Sequence, residues 1–499
     1  MNKQIKWGAI VSYLSLFINI LIGVLYTPWV IHSIGKADYG LYTLALSVIN
    51  IFVFDFGLSS AITRFVSKYN AEGRQDKVNN FLSITVKLYL YIDIAFFFIL
   101  SIVYVLIPYI YSGLTVNEVE KFKVIYVFAS LFSVISFPLI PSNGVLSAYE
   151  QFVPLKVCDL LHKIFMVVFM SGCLLLGYGL YALVLVNGVS ALLTFLMKLL
   201  VIKRRIPIEI NWSFWDKNEL RSLFSFSLWV MIIALCQRLV LNICPSILGI
   251  MADSSSIAVF GVAMTIEGFV FSFANAINGL FLPTVSRFIA KGEDDSIVNL
   301  MIKVGRFQIV IIGLLLVGFI CVGQSFIDNW LGHDYGEVFW CALLLTFPSF
   351  IYLPEEIANT TVVAKNEVRR QAYISIAKGV CNLVLAFPLV RVWGVYGMAA
   401  SVCVSYLLSI VCMNILYKRR LKIDVGLFFR KSFVPMFPSI VISLVLTLLV
   451  SRLIPDSGWI GVILKVVSTS IIYLFILLFF GLGKDERTSL YRVINIRKH

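Results

Sequence analysis

Apolar runs of about twenty residues follow one another from residue 7 to residue 482, and a chain so patterned folds in a lipid bilayer. At ~1.5 Å per residue, each run as a helix crosses a hydrocarbon core ~30 Å thick. Fourteen such runs can be drawn, among them 7–31, 40–64, 222–250, 255–284, 431–452 and 457–482. Roughly ten-residue alternation is absent, which excludes a membrane β-barrel. The longest linker, Lys203 to Arg221, leaves no room for a soluble domain. The expected fold class is therefore all-α integral membrane, with 14 transmembrane helices. The net charge of +14 would suit a nucleic-acid binder, but the basic residues sit in short loops between the runs. With the N-terminus inside, thirty of the 41 lysines and arginines fall on the cytoplasmic side and five on the other. The positive-inside rule accounts for that asymmetry, so no nucleic-acid partner is expected, and both termini are placed in the cytoplasm.

The chain repeats itself. Gly179-Leu180-Tyr181-Ala182 precedes Lys203-Arg204-Arg205, and Gly394-Val395-Tyr396-Gly397 precedes Lys418-Arg419-Arg420 at the same interval. Lys163 and Lys378 stand at matching places before the two glycines. Arg64-Phe65-Val66-Ser67-Lys68 is echoed by Arg287-Phe288-Ile289-Ala290-Lys291. A six-helix bundle over 1–205, a cytoplasmic linker over 206–221, a second bundle over 222–420, and two further helices with a basic tail over 421–499 are the expected domains. Two bundles of six share one orientation, a parallel repeat of the kind in which transporters place their site between halves.

Few charges lie within the runs, and each is costly. Arg238 is the single charge of 222–250 and lies near its middle, too deep to snorkel. A central arginine costs ~2.5–3.5 kcal/mol on insertion scales, so it should face a wet or paired interior. Glu267 lies at similar depth in the next run; it is either a coupling-ion carrier or the structural partner of Arg238. Asp55 and Asp93 are mid-run in the second and third spans, as proton carriers or helix contacts. Asp159 and Lys163 are four apart, a spacing that favours an intrahelical pair. Lys378 has no such acid before it. Lys87, Lys198 and Lys465 lie nearer run ends and are expected to snorkel. Tryptophans at run ends, Trp7, Trp212 and Trp215 among them, suit interfacial belts, and prolines such as Pro138, Pro141, Pro245, Pro283, Pro348 and Pro354 suit bends.

No catalytic signature stands out. There is no G-x-x-x-x-G-K-[ST], no H-E-x-x-H and no G-x-S-x-G. The nine cysteines all fall in apolar runs without ligand spacing, and the four histidines are scattered. Neither enzyme activity, a cofactor nor a metal is expected.

One stretch has Pro28, Gly35 and Tyr39-Gly40-Leu41-Tyr42; the next has Asp55, Gly57 and Arg64-Phe65. With fourteen spans and a six-plus-six repeat, these resemble the polysaccharide (O-antigen, Wzx-type) flippases of the multidrug/oligosaccharidyl-lipid/polysaccharide exporter superfamily. The resemblance covers essentially the whole chain. It implies a MATE-like, V-shaped pair of bundles in the bacterial inner membrane. It also implies flipping of an undecaprenyl-diphosphate-linked oligosaccharide to the outer leaflet for O-antigen, lipopolysaccharide or other polysaccharide biosynthesis. The implied partners are that lipid-linked oligosaccharide, membrane lipids, H+ or Na+ for antiport, and polysaccharide polymerase or chain-length proteins. Arg238, Lys163 and Lys378 are the candidate diphosphate-binding residues; Asp55, Asp93 and Glu267 are the candidate ion-coupling residues. Three rivals stay open. A multidrug or cation exporter of the superfamily would favour an anionic cavity. A lipid II flippase resembles a cavity with several arginines, one in its first helix, whereas 7–31 is uncharged. A non-transporting membrane partner of a glycan synthase complex would need no charge midway through a span.

Overall fold

A computed structural model describes residues 3–53, 55, 57–275, 281–455 and 458–483, and their side chains except at 3–16, 19, 52, 60, 218–227, 230, 273–275 and 282–283. The side chains of Trp7 and Pro283 and the basic tail from Lys484 lie outside the described residues. The described chain is helical and divides into two compact units, 1–261 with 375–401, and 262–374 with 402–499.

The first unit begins with α1 (Lys3–Ile34), α2 (Lys36–Phe52), α3 (Leu58–Ala71), α4 (Gln75–Ile110) and α5 (Val116–Ser136). It continues through α6 (Pro141–Ala148), α7 (Phe152–Leu175), α8 (Leu180–Arg205), α9 (Lys217–Leu241) and α10 (Cys244–Met251). α11 (Ser254–Asn275) starts in the first unit and ends in the second. The second unit holds α12 (Leu282–Lys291), α13 (Asp294–Trp330), α14 (Glu337–Thr346), α15 (Ser349–Tyr352) and α16 (Glu356–Ala364). α17 (Val368–Leu416) is shared between the units, and α18 (Val425–Leu453) and α19 (Gly458–Ile476) close the second.

Local chemistry sets several of these boundaries. Thr115 and Glu118 form a reciprocal capping box that starts α5. Pro141 and Pro245 stand in the first turn of α6 and α10, where a missing N–H costs nothing. The expected bends at Pro138, Pro348 and Pro354 become short helical breaks between α5 and α6 and between α14 and α16. Residue 394 has φ 55° and ψ −131°, a conformation that glycine adopts without penalty, and there α17 turns.

Among the described residues, eleven helices are long and apolar enough to span a membrane, or up to twelve if α1 and α2, bent by 116° at Gly35, form one more. This is fewer than fourteen. Part of the difference is that Val368–Leu421 counts once although its 54 residues are about twice a bilayer crossing. Broad apolar exposure supports a membrane setting, as at Phe97, Phe98, Leu453 and Phe480.

Inside each unit the packing is analogous. In the first, Ile62 and Val66 of α3 are fully buried with Phe81 of α4 and Val145 and Leu146 of α6. In the second, Val285 of α12 is buried with Met301 of α13 and Ile357 and Val362 of α16. In both, a short helix rests on the long helix that follows it and on the far half of a proline-broken span.

Candidate functional site: an interrupted helix and its charges

The expected second span is not one helix. α2 ends at Phe52, and α3 starts after Gly57, whose φ of 72° and ψ of 7° suit glycine. Asp55 stands in the interruption rather than mid-helix, correcting the expectation of a continuous run through it. A helix N-terminus carries partial positive charge and unmet N–H groups. Asp55 answers both: the Ser59 backbone N–H donates to Oδ1 and Oδ2 at 3.2 and 3.3 Å. The Ser59 hydroxyl donates to Oδ1 at 3.0 Å, and the Tyr89 hydroxyl of α4 also donates to Oδ1.

Arg238 answers the other side of the same break. Its Nη1 donates to the Asn50 carbonyl at 2.6 Å, in the last turn of α2, where carbonyls lack helical partners. Arg238 itself lies in the last turn of α9, whose negative end favours a cation. The span expected over 222–250 makes a two-residue turn there, at Asn242 and Ile243, before α10. Val240 next to that turn gives its carbonyl to Asn382 at 3.0 Å, and Ser401 holds Asn382 at 3.0 Å. Arg238 and Asp55 are within electrostatic reach of one another. Opposite charges thus cap the facing ends of two half-helices.

The other expected cations also belong to the first unit. Lys378 of α17 is buried beside Cys236 of α9. Positions two apart on a helix do not face the same way, so Cys236 and Arg238 serve different sides of α9. Lys163 of α7 is half-buried. Its expected partner is taken: Asp159 pairs with Lys198 of α8 at 2.7 Å. Lys198 does not snorkel; it is 4% exposed and also donates to Asn143 at 2.8 Å. Lys163 retains only a longer-range interaction with Asp159, with no hydrogen bond or ion pair among the described residues. Lys465 likewise is buried rather than snorkelling, and its Nζ meets Ser325 Oγ at 3.2 Å. Lys87 donates to the Phe214 carbonyl at 2.8 Å. Asp93 of α4 keeps a buried Oδ1 without a hydrogen-bond partner among the described residues.

Glu267 falls in the second unit, on α11, within electrostatic reach of Tyr352. That unit also holds an acidic pair, Glu355 and Glu356, directly after Pro354. Glu355, 2% exposed, accepts from Asn414 Nδ2 at 2.8 Å. Glu356 accepts from Asn359 at 3.3 Å, and Gln371 donates to Asn359 at 2.8 Å. The signal for a site was two adjacent acids in an apolar run.

Comparison with known proteins follows this geometry. A family model described as "Polysaccharide biosynthesis protein" matches residues 5–289. The uncharacterized membrane protein EpsK of Bacillus subtilis is 20% identical over 429 residues, 81% of each chain. The capsular polysaccharide biosynthesis protein CapF of Staphylococcus aureus is 25% identical over 150 residues, 30% of this chain and 37% of that one. The lipid II flippase MurJ in an inward closed conformation superposes with a TM-score of 0.70 at 12% identity, covering 95% of this chain and 98% of MurJ. An inward-facing MATE multidrug transporter gives 0.67 at 13% identity, covering 83% and 98%. The fold is the one these two transporters share.

Proposed function

Because the chain belongs to the polysaccharide biosynthesis protein family, we propose that it is a flippase for a lipid-linked oligosaccharide. It takes an undecaprenyl-diphosphate-linked glycan from the cytoplasmic leaflet to the outer leaflet of the bacterial inner membrane, as for O-antigen or a comparable polysaccharide. The observation that carries this reading is the interrupted α2–α3 span with Arg238 at its break. A diphosphate crossing hydrocarbon needs fixed cations, and a guanidinium matches phosphate in a bidentate geometry. In this reading Arg238 exchanges the Asn50 carbonyl for a phosphate oxygen, while Lys163 and Lys378 add point charge elsewhere along the path and not at the same phosphate. Fourteen spans, in two six-helix bundles at 1–205 and 222–420 with two further helices, and cytoplasmic termini complete the proposal. The chain does its work by binding and movement, not by making or breaking covalent bonds.

An ion gradient drives the cycle, with Asp55, Asp93 and Glu267 as candidate carriers of H+ or Na+. The acids of the second unit favour one alternative, a cation or drug exporter, because an acidic interior attracts cations. The test is a vesicle assay with purified protein and fluorescent lipid-linked oligosaccharide. Flipping by the wild type and loss in Arg238→Ala support the proposal. Transport of a cationic dye with no effect on the lipid would favour the exporter.

A further inference from the structure

The first part of the segment expected to be a cytoplasmic linker, 206–214, is bound to α4. Gln75, Asn79, Ser83 and Lys87 of α4 recur every fourth residue on one helix face. They meet the segment in register. Gln75 Nε2 donates to the Pro207 carbonyl. The Glu209 N–H donates to Asn79 Oδ1 at 3.3 Å, the Asn211 N–H to Ser83 Oγ at 2.8 Å, and Lys87 Nζ to the Phe214 carbonyl at 2.8 Å. The match is geometric. Four helical residues rise about 6 Å, close to the rise of two extended residues. The match covers the steps from 207 to 209 to 211; at 212–213 the chain turns, with the Phe214 N–H donating to the Asn211 carbonyl at 3.2 Å. Ile206, Ile208 and Ile210 line a cavity of about 410 Å³. Pro138, Val145, Leu199, Leu82 and Lys203 supply other parts of its wall. That volume is within the ~300–1,000 Å³ usual for small-ligand pockets.

Leu199 on the cavity wall and the neighbouring Leu200, Leu90 and Tyr91 expose apolar side chains, so hydrocarbon can reach it. Trp215 packs edge-on against Tyr91 at 6.2 Å, and Trp212 is 61% exposed, as suits residues at a headgroup boundary. Lys203 lies at the rim with exposed Arg204 and Arg205 beside it. An apolar slot open to lipid with a basic rim fits an amphiphile that has a hydrocarbon chain and an anionic phosphate head.

We propose that this cavity is a loading site: the prenyl chain of the lipid carrier lies under the 206–214 strap while its phosphate meets Lys203 and Arg204. The inference rests on the proposed function, which supplies a carrier lipid in the cytoplasmic leaflet. A buried chain gains little over lipid, so the rim must supply the selectivity. Juxtamembrane basic residues contribute roughly fivefold each to anionic lipid binding.

The test uses full-length protein in nanodiscs and a diazirine-bearing polyprenyl phosphate. Photolabel is expected on peptides covering 138–145 and 199–210. Lys203→Gln with Arg204→Gln should lower labelling by roughly an order of magnitude or more. Leu199→Trp, which fills the slot from a partly exposed position, should remove it. The double variant alters only exposed side chains, so its folding is expected to be unimpaired. Labelling of the same peptides as strongly by a diazirine phosphatidylglycerol, or labelling indifferent to all three substitutions, would overturn the site. Lost labelling with normal flipping also overturns it and leaves the flippase reading intact. Normal labelling by a wild type that flips no lipid-linked glycan supports the site and removes the flippase reading.

Discussion

The two units build similar frames and place different sets of charges in them. Each packs a short helix, α3 or α12, against a long one, α4 or α13, and against the far half of a proline-broken span. In the first unit the intramembrane charges include Arg238, Lys163 and Lys378, and the acids Asp55 and Asp159 have polar or basic partners. In the second they include Glu267, Glu355 and Glu356, with amide side chains holding the latter two. A duplicated frame therefore does not require duplicated sites. The helix packing needs only apolar volume, which leaves the few polar positions free to diverge. In the proposed cycle the anionic cargo sits on the first unit, and the second unit's Glu355 and Glu356 join Glu267, and Asp55 and Asp93 of the first, as candidate cation carriers.

Substitutions can break or sharpen that contrast. The largest effect is expected at Arg238→Ala, with surface glycan falling at least a hundredfold while protein level and membrane insertion stay normal. Arg238→Lys should retain part of the activity, since an ammonium keeps the charge and loses the fork. Equal glycan in wild type and Arg238→Ala would leave the arginine as a helix cap alone. Next is Glu355→Gln combined with Glu356→Gln. It should cut gradient-driven transport about tenfold in vesicles while passive lipid exchange persists; equal loss of both would show that the pair is structural. Lys163→Gln should slow flipping only a few fold, because point charge without a fixed geometry contributes less than a bidentate contact. The smallest effect on transport is expected from Tyr89→Phe. It removes a hydrogen bond to a carboxylate, worth about 1.5–3 kcal/mol, and should appear mainly as earlier thermal unfolding in detergent.

Much of the frame was legible in the sequence because hydropathy and loop charge are local properties. The positions of α18 and α19 follow from the apolar runs 431–452 and 457–482 alone. The break at Asp55 was signalled by the Asp55, Gly57, Ser59 cluster, but the long apolar run around it masked the signal. Asp159 and Lys198 show a different limit. Spacing offered Lys163 as the partner, whereas the nearer cation comes from the next helix, and only tertiary packing decides between them. The Arg238–Asn50 contact is of the same kind, a side chain and a carbonyl far apart in sequence. Glu355 and Glu356 were visible as charges, but the amides that hold them come from other elements.

Lipid binding tests directly whether the first unit reads the charge of the cargo. Purified wild type and Arg238→Ala would be titrated with a polyprenyl diphosphate, the monophosphate and the neutral prenol. Affinity is expected to fall in that order for the wild type, with a loss of at least tenfold for the diphosphate in Arg238→Ala and the prenol unchanged. Equal affinity of both proteins for all three lipids would contradict this expectation.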